Sequence, residues 1–206
     1  MESGGPAFSH TETVRLSKQL SYILRHGAIK EKLQLTAEGY VRLDDLLARP
    51  KLKGVTFEAI DHVVRTNDKK RFQMKCEDDI WWIRATQGHS LRQLGNMDLI
   101  LCTEALPIVV HGTYLERWSS IQRQGLKTMS RNHIHLAPGL PSDEGVISGM
   151  RTTSEVFIYI DMAKALADGI QFYRSVNNVI LTQGQDGVLA PCYFERVVTR
   201  DGTLLA

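Results

Sequence analysis

Apolar residues recur at helical spacing from Thr13 to His26. Leu16, Leu20, Ile23 and Leu24 form one stripe, and Ser17, Ser21 and Arg25 fall four apart on another. The spacing predicts a helix that Gly27 stops. Val41 to Ala48 predict a short second helix, ended near Pro50. Thr56 is placed to cap a third, with Ile60, Val63 and Val64 facing inward. In RFQMKC, Phe72, Met74 and Cys76 then alternate with polar residues. Glu77-Asp78-Asp79 supply a turn and IWWIRA returns, although Trp81-Trp82 interrupt strict alternation. That pattern predicts a hairpin. Helices followed by a hairpin suggest a winged-helix-like N-terminal lobe.

The second half is patterned differently. Pro107 to Val110 predict an apolar strand ending in His111-Gly112-Thr113. A helix should follow, with Leu115, Trp118 and Ile121 inward and Gly125 as its stop. HIHLA (133–137) and EVFIYID (155–161) read as strands, and Asp161 is placed to cap a helix over Ala163–Ala167. QFYRS, NVILT and YFERVV complete a set of short strands. The fold class expected is α+β. Residues 1–12 are expected to be a flexible N-terminus, 13–97 the first lobe and 98–206 a strand-rich second lobe.

Composition narrows the function classes. The 206 residues are 43% hydrophobic and 23% charged, as in soluble globular chains. Net charge is +2, with the basic excess in the first half. That is too little for a protein that coats DNA non-specifically, but it leaves room for a local phosphate site. No apolar run approaches membrane-spanning length. The first residues show no basic segment leading into an apolar core, so a secretory leader is not expected. Cys76, Cys102 and Cys192 are scattered and form no CxxC pair. They suggest a reducing, intracellular setting, cytoplasmic or nuclear, rather than a disulfide framework.

Several segments could carry chemistry. Arg25 and His26 at a helix end offer a permanent and a titratable cation, although a helix C-terminus favours such residues anyway. Lys69, Lys70 and Arg71 enter a strand as a basic cluster. That suits either a nucleic-acid backbone or a solvated turn. In His111-Gly112-Thr113, the glycine lets a ligand approach the backbone, and its neighbours offer hydrogen bonds. His133 and His135 would share a strand face. With His111 they could form a three-histidine metal site, but no carboxylate or cysteine is spaced to support it, so no metal is expected. From Pro138 to Arg151 runs a long Gly-, Pro- and Ser-rich loop whose Val146, Ile147 and Met150 argue against disorder.

Taken in order, LSKQLSYILRHG, EGYVRLDDLL, TNDKKRF, IRATQGHS, VHGTY, HIHLAPGLPSDEGVISGMR and DGIQFYRSVNNVILT resemble the tRNA 2′-phosphotransferase family, its eukaryotic branch in particular. The resemblance covers nearly the whole chain after the first dozen residues. It implies a winged-helix RNA-binding lobe followed by an ADP-ribosyltransferase-like lobe that binds NAD⁺. The implied reaction transfers the internal 2′-phosphate left at a tRNA splice junction to NAD⁺. Its products are 2′-hydroxyl RNA, nicotinamide and ADP-ribose 1″,2″-cyclic phosphate. By the same resemblance the catalytic residues are Arg25, His26, Arg71 and Arg151. His111, Gly112, Thr113, His133, Leu136, Gly139, Ser148 and Gly149 would receive the dinucleotide. Phe172 could pack on a ring or in the core. Lys69, Lys70 and Arg84 are the candidates for RNA phosphate contacts.

The residue types suit such chemistry. A 2′-phosphate carries about −1.5 to −2 charges if it titrates like other phosphomonoesters, so it needs orienting cations rather than a base. Many ADP-ribosyltransferases carry a late catalytic glutamate, but the strand around Asn178–Thr182 supplies none. A carboxylate there would repel the phosphate by about 4 kcal/mol for unit charges at 4 Å and an effective dielectric near 20. The second step exchanges an alcohol nucleophile for an alkoxide-like leaving group. It calls for proton transfer, which suits His26 as acid or base. Two other classes fit the same elements: an ADP-ribosyltransferase acting on nucleic-acid phosphate or on protein, and an NAD-sensing winged-helix regulator. The product separates all three. Oligomeric state is not legible, with a monomer the default expectation.

Overall fold

Ser9 begins the first helix with a reciprocal cap. Its hydroxyl accepts from the Glu12 amide at 3.3 Å, and the Glu12 carboxylate accepts from the Ser9 amide at 3.1 Å. The computed structural model describes residues 8–90, 99–140 and 150–206. The first helix, α1 (His10–Tyr22), therefore starts earlier than its apolar stripe suggests. The Ser-x-x-Glu box, rather than the first leucine, sets its start, and part of the expected flexible N-terminus is helical. Beyond Tyr22 the chain does not simply stop at Gly27. Ile23–Gly27 form a π turn, one residue wider per turn than an α-helix.

The chain divides into two units, residues 1–97 and 98–206. In the first, β1 (Val41–Arg42) precedes α2 (Leu43–Leu47), so the expected second helix begins two residues late. Val41 pairs with Ile83 instead of entering the helix. Thr56 caps α3 (Phe57–Arg65) through the Ala59 amide, as its position predicts, and Ile60 and Val63 are buried. The hairpin is β2 (Phe72–Glu77) and β3 (Ile80–Ala85), in register from Phe72–Ala85 to Glu77–Ile80. Asp78 and Asp79 both have positive φ, the conformation of a tight two-residue hairpin turn. The sheet order is β1-β3-β2, and Leu20, Ile23, Leu24, Ile60 and Ile83 fill the core beside it.

The second unit holds β4 (Ile100–Leu101), β5 (Val110–Thr113), α4 (Leu115–Gln124), β6 (Leu126–Lys127), β7 (Ile134–Leu136), β8 (Val156–Ile160), α5 (Met162–Ala167), β9 (Phe172–Arg174), β10 (Ile180–Thr182), β11 (Val188–Leu189) and β12 (Phe194–Thr199). Its two larger sheets have orders β4-β9-β10-β7 and β12-β8-β5. Val110 and Ala137 exchange both backbone hydrogen bonds at 2.8 Å and so tie the sheets together beside His111. Every residue of β8 is buried, which explains its unbroken apolar run. Trp118 and Ile121 pack on the core as expected, but Leu115 is exposed on the first turn of α4. Phe172 belongs to the core and is fully buried. The whole is a mixed helix-and-sheet fold.

Candidate functional site

In the first unit the π turn places Arg25 and His26 side by side, with His26 exposed. Such turns often mark functional positions, because they break the regular ladder to re-aim a side chain. The segment 86–90 wraps this turn. The Ser90 amide donates to the Arg25 carbonyl at 3.1 Å, and the Ser90 hydroxyl lies 2.8 Å from His26 Nδ1. Gly88 has φ +83°, a conformation that side chains rarely adopt, and it lies within van der Waals contact of the Arg25 side chain. Glycine thus lets the backbone bend closely around the guanidinium.

Arg71 is held by Asn67. The Asn67 side-chain oxygen accepts from the Arg71 amide at 3.1 Å and reaches its guanidinium at 3.5 Å. The nitrogen of the same side-chain amide donates to Ser17 on α1 at 3.3 Å. Burial lowers the pKa of Arg71, an effect that Asp68 partly opposes. Lys69 is lowered too, by burial first and then by the Arg71 charge. Two cations packed together and partly stripped of water are arranged for an anion. Lys70 is exposed, in a left-handed conformation.

Arg84 is not on this surface. It is 3% exposed, its guanidinium donates to Gln73 and to the Glu38 carbonyl, and it stacks on Tyr40 at 4.5 Å. The expected phosphate contact is therefore a structural arginine, its charge offset by acceptors inside the unit.

In the second unit His111 is a partly covered residue within β5. Its Nδ1 lies 2.9 Å from the His135 carbonyl, which can only accept. The proton is therefore on Nδ1, and Nε2 carries the lone pair. Burial lowers the His111 pKa, the His135 carbonyl opposes that, and the Arg131 charge adds to the lowering. The ring is neutral at neutral pH. His135 makes the same kind of bond to the His133 carbonyl, at 3.0 Å. His133 is buried with its pKa lowered for that reason, and its ring meets Tyr173 edge-on. Among the described residues no three His, Cys, Asp or Glu side chains gather as a metal site.

Gly112 is crowded rather than strained. A Cβ there would lie 2.7 Å from the Ser154 hydroxyl and 3.0 Å from Met150. The Thr113 carbonyl accepts from the Glu155 amide at 2.8 Å, which joins the strand end to the start of β8. Arg151 reaches the Tyr114 hydroxyl at 3.4 Å and lies over its ring at 5.8 Å. Thr153 also bonds that hydroxyl, at 2.9 Å, and with Arg151 lowers the Tyr114 pKa. Arg200 clamps the same segment, donating to the carbonyls of Thr152 and Ser154.

Arg131 adds a second cation within electrostatic reach of Arg151. Its side chain still meets solvent, yet partial burial and the neighbouring Arg151 charge lower its pKa. Leu136 is fully buried in the core, so its side chain cannot line a ligand site. Gly139 is buried on the loop after β7, and Ser148 and Gly149 lie outside the described residues. Sequence reasoning missed Asn67, Ser90, Tyr114, Arg131 and Arg200. Asn67, Ser90 and Tyr114 lie within its motifs TNDKKRF, IRATQGHS and VHGTY, whereas Arg200 carries no local signal.

Residues 11–184 match the family described as RNA 2′-phosphotransferase, Tpt1 / KptA family. The chain belongs to that family. It is 48% identical over 194 residues to tRNA 2′-phosphotransferase 1 of Danio rerio, covering 89% of this chain and 84% of that protein. It is 49% identical over 190 residues to tRNA 2′-phosphotransferase 1 of Homo sapiens, covering 90% and 75%. A tRNA 2′-phosphotransferase relative in Schizosaccharomyces pombe is 47% identical over 195 residues. There the match takes in 94% of this chain but only 53% of the relative, so this chain spans about half of that protein's length. The family is one of phosphotransferases acting on RNA, so the chain is an enzyme of that kind.

Proposed function

We propose that this protein removes the internal 2′-phosphate of spliced tRNA by transferring it to NAD⁺. The observation that carries the reading is that the family match, residues 11–184, spans Arg25, His26, Arg71 and Arg151. In finer terms, the first unit is winged-helix-like and binds RNA, and the second is ADP-ribosyltransferase-like and binds NAD⁺. The three free cysteines accord with a reducing, intracellular setting, cytoplasmic or nuclear. Among the described residues no helix is long and apolar enough to cross a membrane.

The residues fit a dinucleotide on the second unit. Arg131 and Arg151 suit its pyrophosphate, and neutral His111 offers an acceptor rather than a competing charge. Gly112 lets Ser154 and Met150 pack close against β5, which holds the segment carrying Arg151 beside that strand. On the first unit, Arg25 and Arg71 hold and orient the 2′-phosphate, whose own charge makes it a competent nucleophile. Arginine also stabilises charge building on the phosphoryl oxygens in the second step. His26, exposed and held through Ser90, gives or takes the proton at the RNA 2′-oxygen or the attacking hydroxyl. NAD⁺ supplies the ribose acceptor and the nicotinamide leaving group. Arginines and a histidine serve every charge and proton that this scheme moves, so turnover should persist in chelator.

The deciding experiment incubates the protein with a 2′-phosphorylated oligoribonucleotide and NAD⁺ and separates the products. The expected set is 2′-hydroxyl RNA, nicotinamide and the cyclic phosphate of ADP-ribose. A stable ADP-ribosylated product would show a transferase that stops after one step. Binding without turnover would show a regulator.

A further inference from the structure

Beside Arg71 the first unit forms an open cavity of about 720 Å³ that the reaction chemistry leaves unassigned. Ser17, Lys18 and Ser21 of α1 line it, with His62 at the end of α3 and Lys69 and Arg71 beyond. Phe8 and His10 line it further along. We propose that this cavity is a second RNA subsite, which holds the single-stranded nucleotides flanking the 2′-phosphorylated one. The proposal rests on the RNA reading above and names where the rest of that substrate lies.

Three observations point to RNA. The first is charge: Lys18, Lys69 and Arg71 face the cavity against one carboxylate, Asp68. Among the described residues no carboxylate forms an ion pair with Lys18, which is exposed and able to meet a phosphate. The second is an aromatic element. The Phe8 and His62 rings stand 5.0 Å apart at 39°, beside the cavity, where an unstacked base can lie against a ring face. The third is a fixed polar line running to the reaction. Ser17 accepts from Asn67, and Asn67 accepts from Arg71, so the wall of the cavity is bonded to the residue assigned to the 2′-phosphate. Lys18 precedes Arg25 by seven residues, about 10 Å along a helix at 1.5 Å per residue. It therefore serves a neighbouring phosphate rather than the transferred one. A duplex would bury its base faces and leave the ring pair unused, so the occupant is a single strand.

The test compares two substrates, a 2′-phosphorylated dinucleotide and a 2′-phosphorylated hexaribonucleotide, each with NAD⁺. Lys18→Glu and His62→Ala are the variants, checked by circular dichroism and thermal unfolding. The expected result is a KM increase for the hexamer at least tenfold larger than for the dinucleotide. For Lys18→Glu the salt dependence of hexamer binding should also fall by about 0.7 in slope, the share of one single-strand phosphate contact. Equal effects on both substrates would place these residues at the transferred phosphate and overturn the subsite. Equal hexamer KM values for wild type and folded variants would overturn it too. If the wild type turned over neither substrate, the RNA phosphotransfer reading itself would fail.

Discussion

The two units fix their cations by different means. In the first, short turns display the cations: a widened turn presents Arg25 and His26, steadied by Ser90 from 64 residues on, and a turn closed by Asn67 aims Arg71 four residues on. In the second, support comes from far along the chain. Arg200 braces the segment that carries Arg151 across 46 residues, and the His135 carbonyl fixes the tautomer of His111 across 24. The first unit keeps its cations placed while these turns and their bonds to Ser90 and Ser17 are intact. The second depends on the packing of its sheets. Damage to the first should therefore act mainly on chemistry, and damage to the second on dinucleotide binding and stability.

The sharpest way to break this contrast is His26→Ala. Loss of a general acid or base costs about 10²–10⁴-fold. If His26 serves the second step, nicotinamide release in a single turnover should stay close to the wild-type rate while 2′-hydroxyl RNA appears slowly. Equal slowing of both would place His26 in the first step, as an orienting residue. Next in size is Arg71→Ala, expected to lower turnover about 10²-fold, in line with the loss of one preorganised donor to developing charge. Titration calorimetry with NAD⁺ and no RNA should show affinity within about threefold of wild type. A larger loss would assign Arg71 to the dinucleotide and erase the division of labour.

Supporting residues should show smaller effects of opposite kind. Asn67→Ala removes bonds to Ser17 and Arg71, each worth about 1 kcal/mol. It should lower turnover about tenfold with NAD⁺ affinity kept. Arg200→Met should weaken NAD⁺ binding about tenfold and lower the thermal midpoint, because the carbonyls of Thr152 and Ser154 lose their donor. Reversal of these two signatures, read by calorimetry and steady-state kinetics, would show that the units do not differ as described.

The smallest effect is a pH dependence. Burial lowers the pKa of both His111 and His133 in the folded chain. Below about pH 6.5 the unfolded chain binds protons that the folded one does not, so stability should fall as pH drops from there toward the folded values. Thermal unfolding from pH 7.5 to 5 should show that fall, and His111→Gln with His133→Gln should flatten it. An unchanged slope in the double variant would remove these rings as its source.

Legibility in the sequence follows the same division. The apolar stripe of α1, the Thr56 cap and the Asp78-Asp79 turn are short-range signals, and each appears in the structure at its place. Basic residues are harder to read, because charge alone does not tell a surface from an interior. Arg71 and Arg84 look alike in sequence, yet one lines a cavity while the other is sealed between Gln73, Glu38 and Tyr40. Leu136 shows the converse, since its motif suggests a ligand but its strand position turns it into the core. Arg131 and Arg200 gain their meaning only when the sheets bring them beside Arg151 and Ser154.

The π turn also bears on how this segment can change in length. Five residues, Ile23–Gly27, occupy a loop of backbone that an ordinary helix would close with fewer. Removing one would let the turn close as ordinary helix, and the residues of the turn itself would lose the direction that the wider turn gives them. Arg25 and His26 would keep their identity and lose their bearing. Single-residue deletions here should thus be far less tolerated than conservative exchanges of the apolar residues on either side.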